Sequence, residues 1–412
     1  MVLGVGAFAH STLRALRDDG ARVSAYLTRN YAHYGPSLEG PTYDSAEHPT
    51  PFAALERERP DFVVPMSIEW AVKPWTEEFL TRGVPILCPV GEGLLLERDR
   101  DFGRALCRRQ GIPVADAVLA RTRSAAITFL RRQRRPFVIK NPLCSPFSPI
   151  HTIVCECAED TRAWLDRVDD AEGIFLQEYL GRAEVGHIAL VSGGEIYSLV
   201  TNQEYKRAFD GNLGVVAGAP LGGIVERDPD DQYGLARRLI RPLLPWFRKV
   251  NFRGPVQVTA VRSRGRWQVI EYNVRLGVTS GAMILRLLAN PLQVLRDAAF
   301  NLPLRPRFRP GLRFGCSLTL AGFGYPFVVL EGPRVPVKVE GRLTCDVWWN
   351  EVARGGREGL VATGHRLADV AAVAGTLSGA VRKAYANIRR IRSLGSYYRL
   401  DVGRSLWPPG SE

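Results

Sequence analysis

Cysteine is scarce in this chain: seven residues among 412, an odd number and without a Cys-x-x-Cys pair. That argues against a disulfide framework and for a reducing, cytoplasmic setting. Cys155 and Cys157 stand close together, but no second Cys/His pair follows to complete a zinc site, so both read as strand residues. No uninterrupted apolar run approaches the ~18 residues that a membrane helix needs. The opening MVLGVGAFAHST also lacks the basic stretch of a signal peptide. A membrane is therefore not an expected partner. Acidic residues are in deficit, 42 against 55 lysines and arginines, which leaves a net charge of +13. Basic stripes interleaved with aromatics, the mark of a nucleic-acid binder, are missing too. The arginines are scattered through helices, as at Arg98, Arg100, Arg104, Arg108 and Arg109, or sit in Arg131 to Arg135, a solvated helix end before Pro136. Nucleic acid is not expected as a partner, whereas a basic field suits small anionic substrates such as nucleotides.

What is present is ample apolar material. With 46% hydrophobic residues over this length, several packed subdomains are expected. The stretch Arg253 to Gly277 reads as a hairpin. Val256, Val258 and Ala260 alternate with Gln257, Thr259 and Val261, and Arg264-Gly265 makes the turn. Trp267, Val269, Glu271 and Asn273 alternate with Gln268, Ile270, Tyr272 and Val274 on the return. Gln257 folds back opposite Glu271 and Asn273. A carboxylate and two amide carbonyls suit a hard cation such as Mg²⁺ (or Mn²⁺) held jointly with substrate phosphates. Arg275 on the same face can pair with a phosphate oxygen. On spacing alone, an exposed polar face on a half-buried sheet is an equal reading.

Near the N-terminus, strand, turn, helix and strand follow one another from Val2 to Leu27, with Ser11 or Thr12 as the helix cap. Gly4-x-Gly6-x-x-Ala9 fits a dinucleotide fingerprint, but the second strand ends in Thr28-Arg29-Asn30 without the acidic residue that holds a ribose. A dehydrogenase is the inferior hypothesis. Those glycines serve a tight turn or an anion at the helix start. Further strands at Phe62 to Met66 and Pro85 to Leu87 make an α/β arrangement with a mainly parallel sheet. Glu69 lies at its carboxyl edge, where such sheets bind ligands, or caps the next helix.

The Gln, Glu-x-Asn-x-Arg pattern of the hairpin resembles the metal-binding strands of the ATP-grasp superfamily. The segments around it, including Leu276-Gly277 and the stretch from Val361 through Tyr397-Tyr398-Arg399-x-Asp401-x-Gly403, look most like the glycinamide ribonucleotide synthetase (phosphoribosylamine–glycine ligase) family. The resemblance implies an ATP-grasp fold of mixed α/β and α+β class. It places a Rossmann-like domain at 1–118, a small grasp subdomain at 119–182, a large one with the metal site at 183–301, and a β-rich C-terminal domain at 302–412. It assigns ATP and Mg²⁺ as cofactors, with Gln257, Glu271 and Asn273 on the metal. Arg100 replaces a family lysine on the phosphates, and Lys140 takes the α-phosphate. The backbone of Glu178, Tyr179 and Leu180 would meet the adenine edge, and Glu184 the ribose. Gln203-Glu204-Tyr205-Lys206-Arg207 resembles the family's Asp-His-Lys-Arg. Lys206, Arg207 and Arg275 would then serve the transferring phosphate, while Glu69, Glu204 and Gly277 would lie near substrate.

Two stretches depart from the family. The lid, Asn141 to Glu156, carries three prolines and neither glycine nor lysine, leaving Ser145, Ser148 and His151 as its polar candidates. Beyond Gly277, Val278-Thr279-Ser280 replaces an Asp-Pro-Glu. The reaction implied is ADP-forming amide synthesis through an acyl phosphate, by a monomer or homodimer. The altered loops point to non-purine substrates in a specialised pathway. The alternatives are a divergent phosphoribosylamine–glycine ligase and a nucleotide-binding protein without catalysis.

Overall fold

Short apolar strands separated by helices build a parallel sheet at the N-terminus. In the computed structural model, which describes residues 1–145, 152–326, 334–356 and 359–404, Val2–Leu3 is flanked by Ala25–Leu27 and Val64–Pro65. Thr42–Asp44 lies beyond Ala25–Leu27, and every pairing is parallel, as the Rossmann-like reading requires. Helix Gly6–Asp18 starts earlier than expected, and Ser11 and Thr12 are buried inside it rather than capping it. The cap comes from far along the chain, because the Ala7 amide donates to Asn350 Oδ1 at 2.8 Å. Gly6 has φ +59°, and a Cβ there would lie 2.4 Å from the same oxygen. Only glycine fits, and Asn350 fills the place where an anion would meet the helix start.

Ala117–Ala120, Phe137–Lys140 and Ile174–Glu178 form a three-stranded antiparallel sheet with Ile174–Glu178 in the middle. Helices Arg123–Leu130 and Ala158–Leu165 contribute to its small core through Ala126, Leu130 and Leu165. The boundary expected at 118/119 falls inside the first of these strands.

The larger element is an eight-stranded antiparallel sheet. Its order is Arg266–Asn273, Gly254–Ser263, Glu184–Ser192, Glu195–Glu204, Gly222–Arg227, Phe314–Ala321, Arg366–Ala374 and Asp346–Trp349. The sheet runs through the boundary expected at 301/302, because Phe314–Ala321 pairs with Gly222–Arg227 on one side and Arg366–Ala374 on the other. The lid residues Ser148 and His151 lie outside the described residues, as does the stretch 327–330, whose apolar sequence reads as a strand. The C-terminal signature braces the sheet. Arg399, 1% exposed, bonds Asp401 and the Arg207 carbonyl, and the Gly403 amide donates to Tyr205 Oη. Among the described residues no helix is long and apolar enough to cross a membrane.

One buried group makes the fold sensitive to acid. His187 is fully buried, its Nδ1 is 3.0 Å from Thr201 Oγ1, and that hydroxyl donates to Asp228. Burial holds the imidazole below its ordinary 6.5, against the pull of Asp231 and Asp228. As pH falls through 6.5, the unfolded chain takes up a proton that the folded chain refuses, so stability is lost. The thermal midpoint is expected to fall between pH 7.5 and 5.5, and His187→Gln to reduce that difference; an unchanged pH dependence in the variant would refute the assignment.

Candidate active site

Arg264 and Gly265 both adopt positive φ, +51° and +75°, as a tight hairpin turn requires. Gln257 pairs with Asn273 and Thr259 with Glu271, so these four polar residues share one face of the sheet. The expected convergence of Gln257, Glu271 and Asn273 is therefore present in the register. The rest of the returning strand is displaced. Ala260 pairs with Val269, leaving Ile270 as the extra residue of a bulge. Trp267 and Val269 consequently join Val258, Ala260 and Tyr272 in the core rather than the face of Glu271, correcting the simple alternation.

Charges from four other segments reach this face. Lys206 Nζ lies 2.8 Å from Glu271 Oε1 and 2.9 Å from Glu184 Oε2. Arg100, the first residue of helix Arg100–Arg109, places Nη1 3.9 Å from Glu271 Oε2 and anchors Nε on the Asn141 carbonyl at 2.9 Å. Burial opposes ionisation of Glu271, but Lys206, Lys140 and Arg100 outweigh it and hold the carboxyl far below its usual range. Burial works against Lys206 in the same way, yet Glu184, Glu271 and Glu204 keep its ammonium charged well above neutrality. Lys140, 4% exposed, donates to Gln177 Oε1 at 2.8 Å. Burial, aided by Arg100, pulls Lys140 down to about 8. Affinity for an anionic nucleotide is thus expected to weaken as pH rises through about 8, and Lys140→Met to remove that limb. Titration of ATP by calorimetry between pH 7 and 9 checks it; an unaltered limb would remove Lys140 from the nucleotide site.

Gly277 lies against the same cluster. A Cβ at that position would stand 3.1 Å from Gln257 Oε1 and 3.4 Å from Glu204 Oε1, so this backbone passes directly beside both side chains. Burial raises the Glu204 carboxyl while Lys206 opposes the shift. Arg275 lies within the fields of Glu204 and Glu271 and pairs through Nε with Glu97 Oε1 at 3.3 Å.

Two expectations need correction, and a third, the adenine edge, is narrowed. Arg207 does not accompany Lys206: neighbours along an extended chain diverge, and its guanidinium bonds Glu156 Oε1 at 2.6 Å, beside Arg182. The amides of Glu178 and Tyr179 are engaged by the carbonyls of Asp116 and Pro136 at 2.7 and 3.0 Å, so those two N–H groups do not face an adenine. Glu69 caps no helix, Ser67 doing so instead, and it is buried against Lys73 Nζ at 2.8 Å and Thr28 Oγ1 at 3.4 Å. Lys73 and Thr28, with Arg29, Phe52 and Trp75, line a cleft of about 580 Å³ at that sheet edge.

Gln177, Thr259 and Glu97 are further polar residues of this site that no motif in the sequence marks. Gln177 joins Lys140 to the Ile270 carbonyl and so ties the small sheet to the hairpin. Thr259 Oγ1 is buried without a hydrogen-bond partner on the polar face, an orphaned oxygen beside the three proposed ligands. Together these oxygens fit a hard divalent cation. The charges agree: Arg100, Lys140, Lys206 and Arg275 are matched in number by Glu97, Glu184, Glu204 and Glu271. These eight side chains alone therefore supply no surplus of positive charge for a triphosphate.

Comparison with known proteins addresses the same segments. Residues 98–279 match the family described as phosphoribosylglycinamide synthetase, ATP-grasp (A) domain. The matched segment, rather less than half of the chain, resembles an ATP-grasp ligase domain. It is 28% identical over 338 residues to a phosphoribosylamine–glycine ligase of Leifsonia xyli, covering 78% of this chain and 79% of that protein. A ligase of the same name from Streptococcus suis is 27% identical, covering 79% and 80%. The crystal structure of the Thermotoga maritima phosphoribosylamine–glycine ligase superposes with a TM-score of 0.77 at 22% identity, over 97% of this chain and 99% of that one. A Campylobacter jejuni biotin carboxylase gives 0.67 at 12% identity, over 96% and 92%. These two structures establish the fold, and the bulged hairpin with its polar face lies inside the matched segment.

Proposed function

We propose that this ATP-grasp ligase forms a carbon–nitrogen bond between a carboxylate and an amine, releasing ADP and phosphate, and that its substrates are phosphoribosylamine and glycine. The names of the relatives favour this pair over the non-purine substrates that the altered loops suggested. The observation that carries the ligase reading is the meeting of Gln257, Glu271 and Asn273 on one strand face with Lys206, Arg100 and Lys140 from three other segments.

The roles follow from chemistry. Gln257, Glu271 and Asn273 would hold Mg²⁺, which supplies charge neutralisation on the phosphates. Arg100, Lys140 and Arg275 bind phosphate oxygens by charge-assisted hydrogen bonds. Lys206, fixed between two carboxylates, keeps its ammonium proton and so offers a permanent cation to the transferring group. Positioning and electrostatics supply most of the catalysis in phosphoryl transfer, so no side-chain nucleophile is required. A carboxylate substrate beside Gly277 would be activated as its acyl phosphate and captured by the amine, near which Glu204 would lie.

The test is Mg-dependent ADP release from ATP with phosphoribosylamine plus glycine. Turnover supports the proposal; silence with this pair and turnover with other acids and amines would replace the substrates while keeping the ligase. One observation favours that second reading. Where the family carries Asp-Pro-Glu, Val278-Thr279-Ser280 opens helix Val278–Leu287, Thr279 and Ser280 are buried, and Ser280 Oγ accepts from Asn202.

A further inference from the structure

Glu97 sits in an apolar run, Leu94-Leu95-Leu96-Glu97, at the joint between the N-terminal parallel sheet and the grasp. Its side chain is 2% exposed, where a lone carboxylate is costly unless paired and hydrogen-bonded. Both oxygens are used, and both on the exit of the hairpin. Oε2 accepts from the Val274 amide at 2.6 Å, and Oε1 meets Arg275 Nε at 3.3 Å. Three residues on, Arg100 reaches Glu271 on the same strand. The turn from Glu97 to Arg100 thus grips the strand at two places, one on either side of Asn273.

We propose that Glu97 is the positioning residue of the nucleotide site: its carboxylate fixes the Arg275 guanidinium and the backbone at Val274, and so sets where the phosphate cation and the neighbouring Asn273 point. The inference rests on the ligase reading, in which Arg275 meets phosphate. The two bonds divide the labour. The amide bond orients the carboxylate, and the charge pair then holds Nε of Arg275, leaving the terminal nitrogens of the guanidinium for a ligand. A half-buried arginine held on one edge by a carboxylate loses little further freedom when its other edge binds an anion. Glutamine is nearly isosteric and can still accept from Val274, but the pair loses its charge and an amide N–H faces the guanidinium. Glu97→Gln therefore removes orientation while leaving packing in place.

The experiment is a double-mutant cycle on Mg–ATP affinity, measured by calorimetry on the full chain without acid or amine, with ADP release read alongside. Glu97→Gln is expected to weaken ATP binding by about tenfold or more, the scale of one charged hydrogen bond, and Arg275→Ala by at least as much. The double variant should be no worse than Arg275→Ala, because glutamine keeps the Val274 bond and the charge that it loses acts only through Arg275. A purely structural glutamate would give additive losses instead, and additivity, or wild-type affinity in Glu97→Gln, overturns the proposal. If Arg275→Ala itself binds and turns over ATP normally, the reading of Arg275 as a phosphate cation fails, which is a different result. Should Glu97→Gln not fold, Glu97→Asp carries the cycle: it keeps the charge one methylene short, and a loss that again vanishes in the Arg275→Ala background supports the same conclusion, while an additive loss overturns it.

Discussion

Glu271→Ala is expected to cut ATP turnover by about 10²- to 10³-fold, the range found when a group that stabilises transition-state charge is removed. Glu271 is the only carboxylate among the three proposed metal ligands, and it faces Lys206, Lys140 and Arg100 at once. Its loss leaves amide carbonyls alone to hold a divalent cation, and leaves Lys206 paired with Glu184 only. Glu271→Gln separates charge from shape: it preserves the side-chain volume opposite Thr259, and it too should be nearly inactive. Both effects are read as Mg-dependent ADP release at saturating ATP. The alanine variant should also need more Mg²⁺ for half-maximal residual rate, which a distant structural defect would not produce. Near-normal turnover in Glu271→Ala would reject the assignment of the hairpin as the metal site.

How far the site was legible follows from what each signal depends on. The hairpin could be read because its information is local: period-two alternation, a turn at Arg264-Gly265, and oxygen donors placed two residues apart. The register of Gln257 with Asn273 confirms that reading. The bulge at Ile270 could not be read, because it is a backbone event with no residue requirement of its own, yet it turns Trp267 and Val269 inward. The Rossmann-like start was legible as a strand and helix pattern, while the cap was not, since Asn350 lies more than three hundred residues from Ala7. Arg207 was misplaced for the same reason: its partner Glu156 comes from a segment that no local pattern links to it. Glu97 left one trace, an acidic residue within an apolar run, which is also how an ordinary helix end looks. The substrate side was legible only as difference. Val278-Thr279-Ser280 announces a changed loop, and the structure adds that Thr279 and Ser280 turn inward.

Lys206→Met is expected to lower ATP turnover by about 10²-fold and to change its pH dependence. The ammonium stands within 3 Å of both Glu184 and Glu271, so methionine leaves two recessed carboxylates with no charge between them. Like charges in such a setting raise one another's pKa, and Glu271 also loses the largest of its cationic partners. The sign is fixed by that change. In the wild type the Glu271 carboxyl is held far below its ordinary range, so acid affects it only at very low pH. Without Lys206 its titration moves upward, and residual activity must fall as pH drops through a higher value than in the wild type. Added Mg²⁺ should oppose the shift, because a divalent cation competes with protons for the same carboxylate. Turnover measured from pH 5.5 to 8.5 at two Mg²⁺ concentrations distinguishes the cases. A uniform loss across pH would mean that Lys206 serves the phosphate alone, whereas an acid limb that moves up and recedes with Mg²⁺ ties Lys206 and Glu271 into one electrostatic unit.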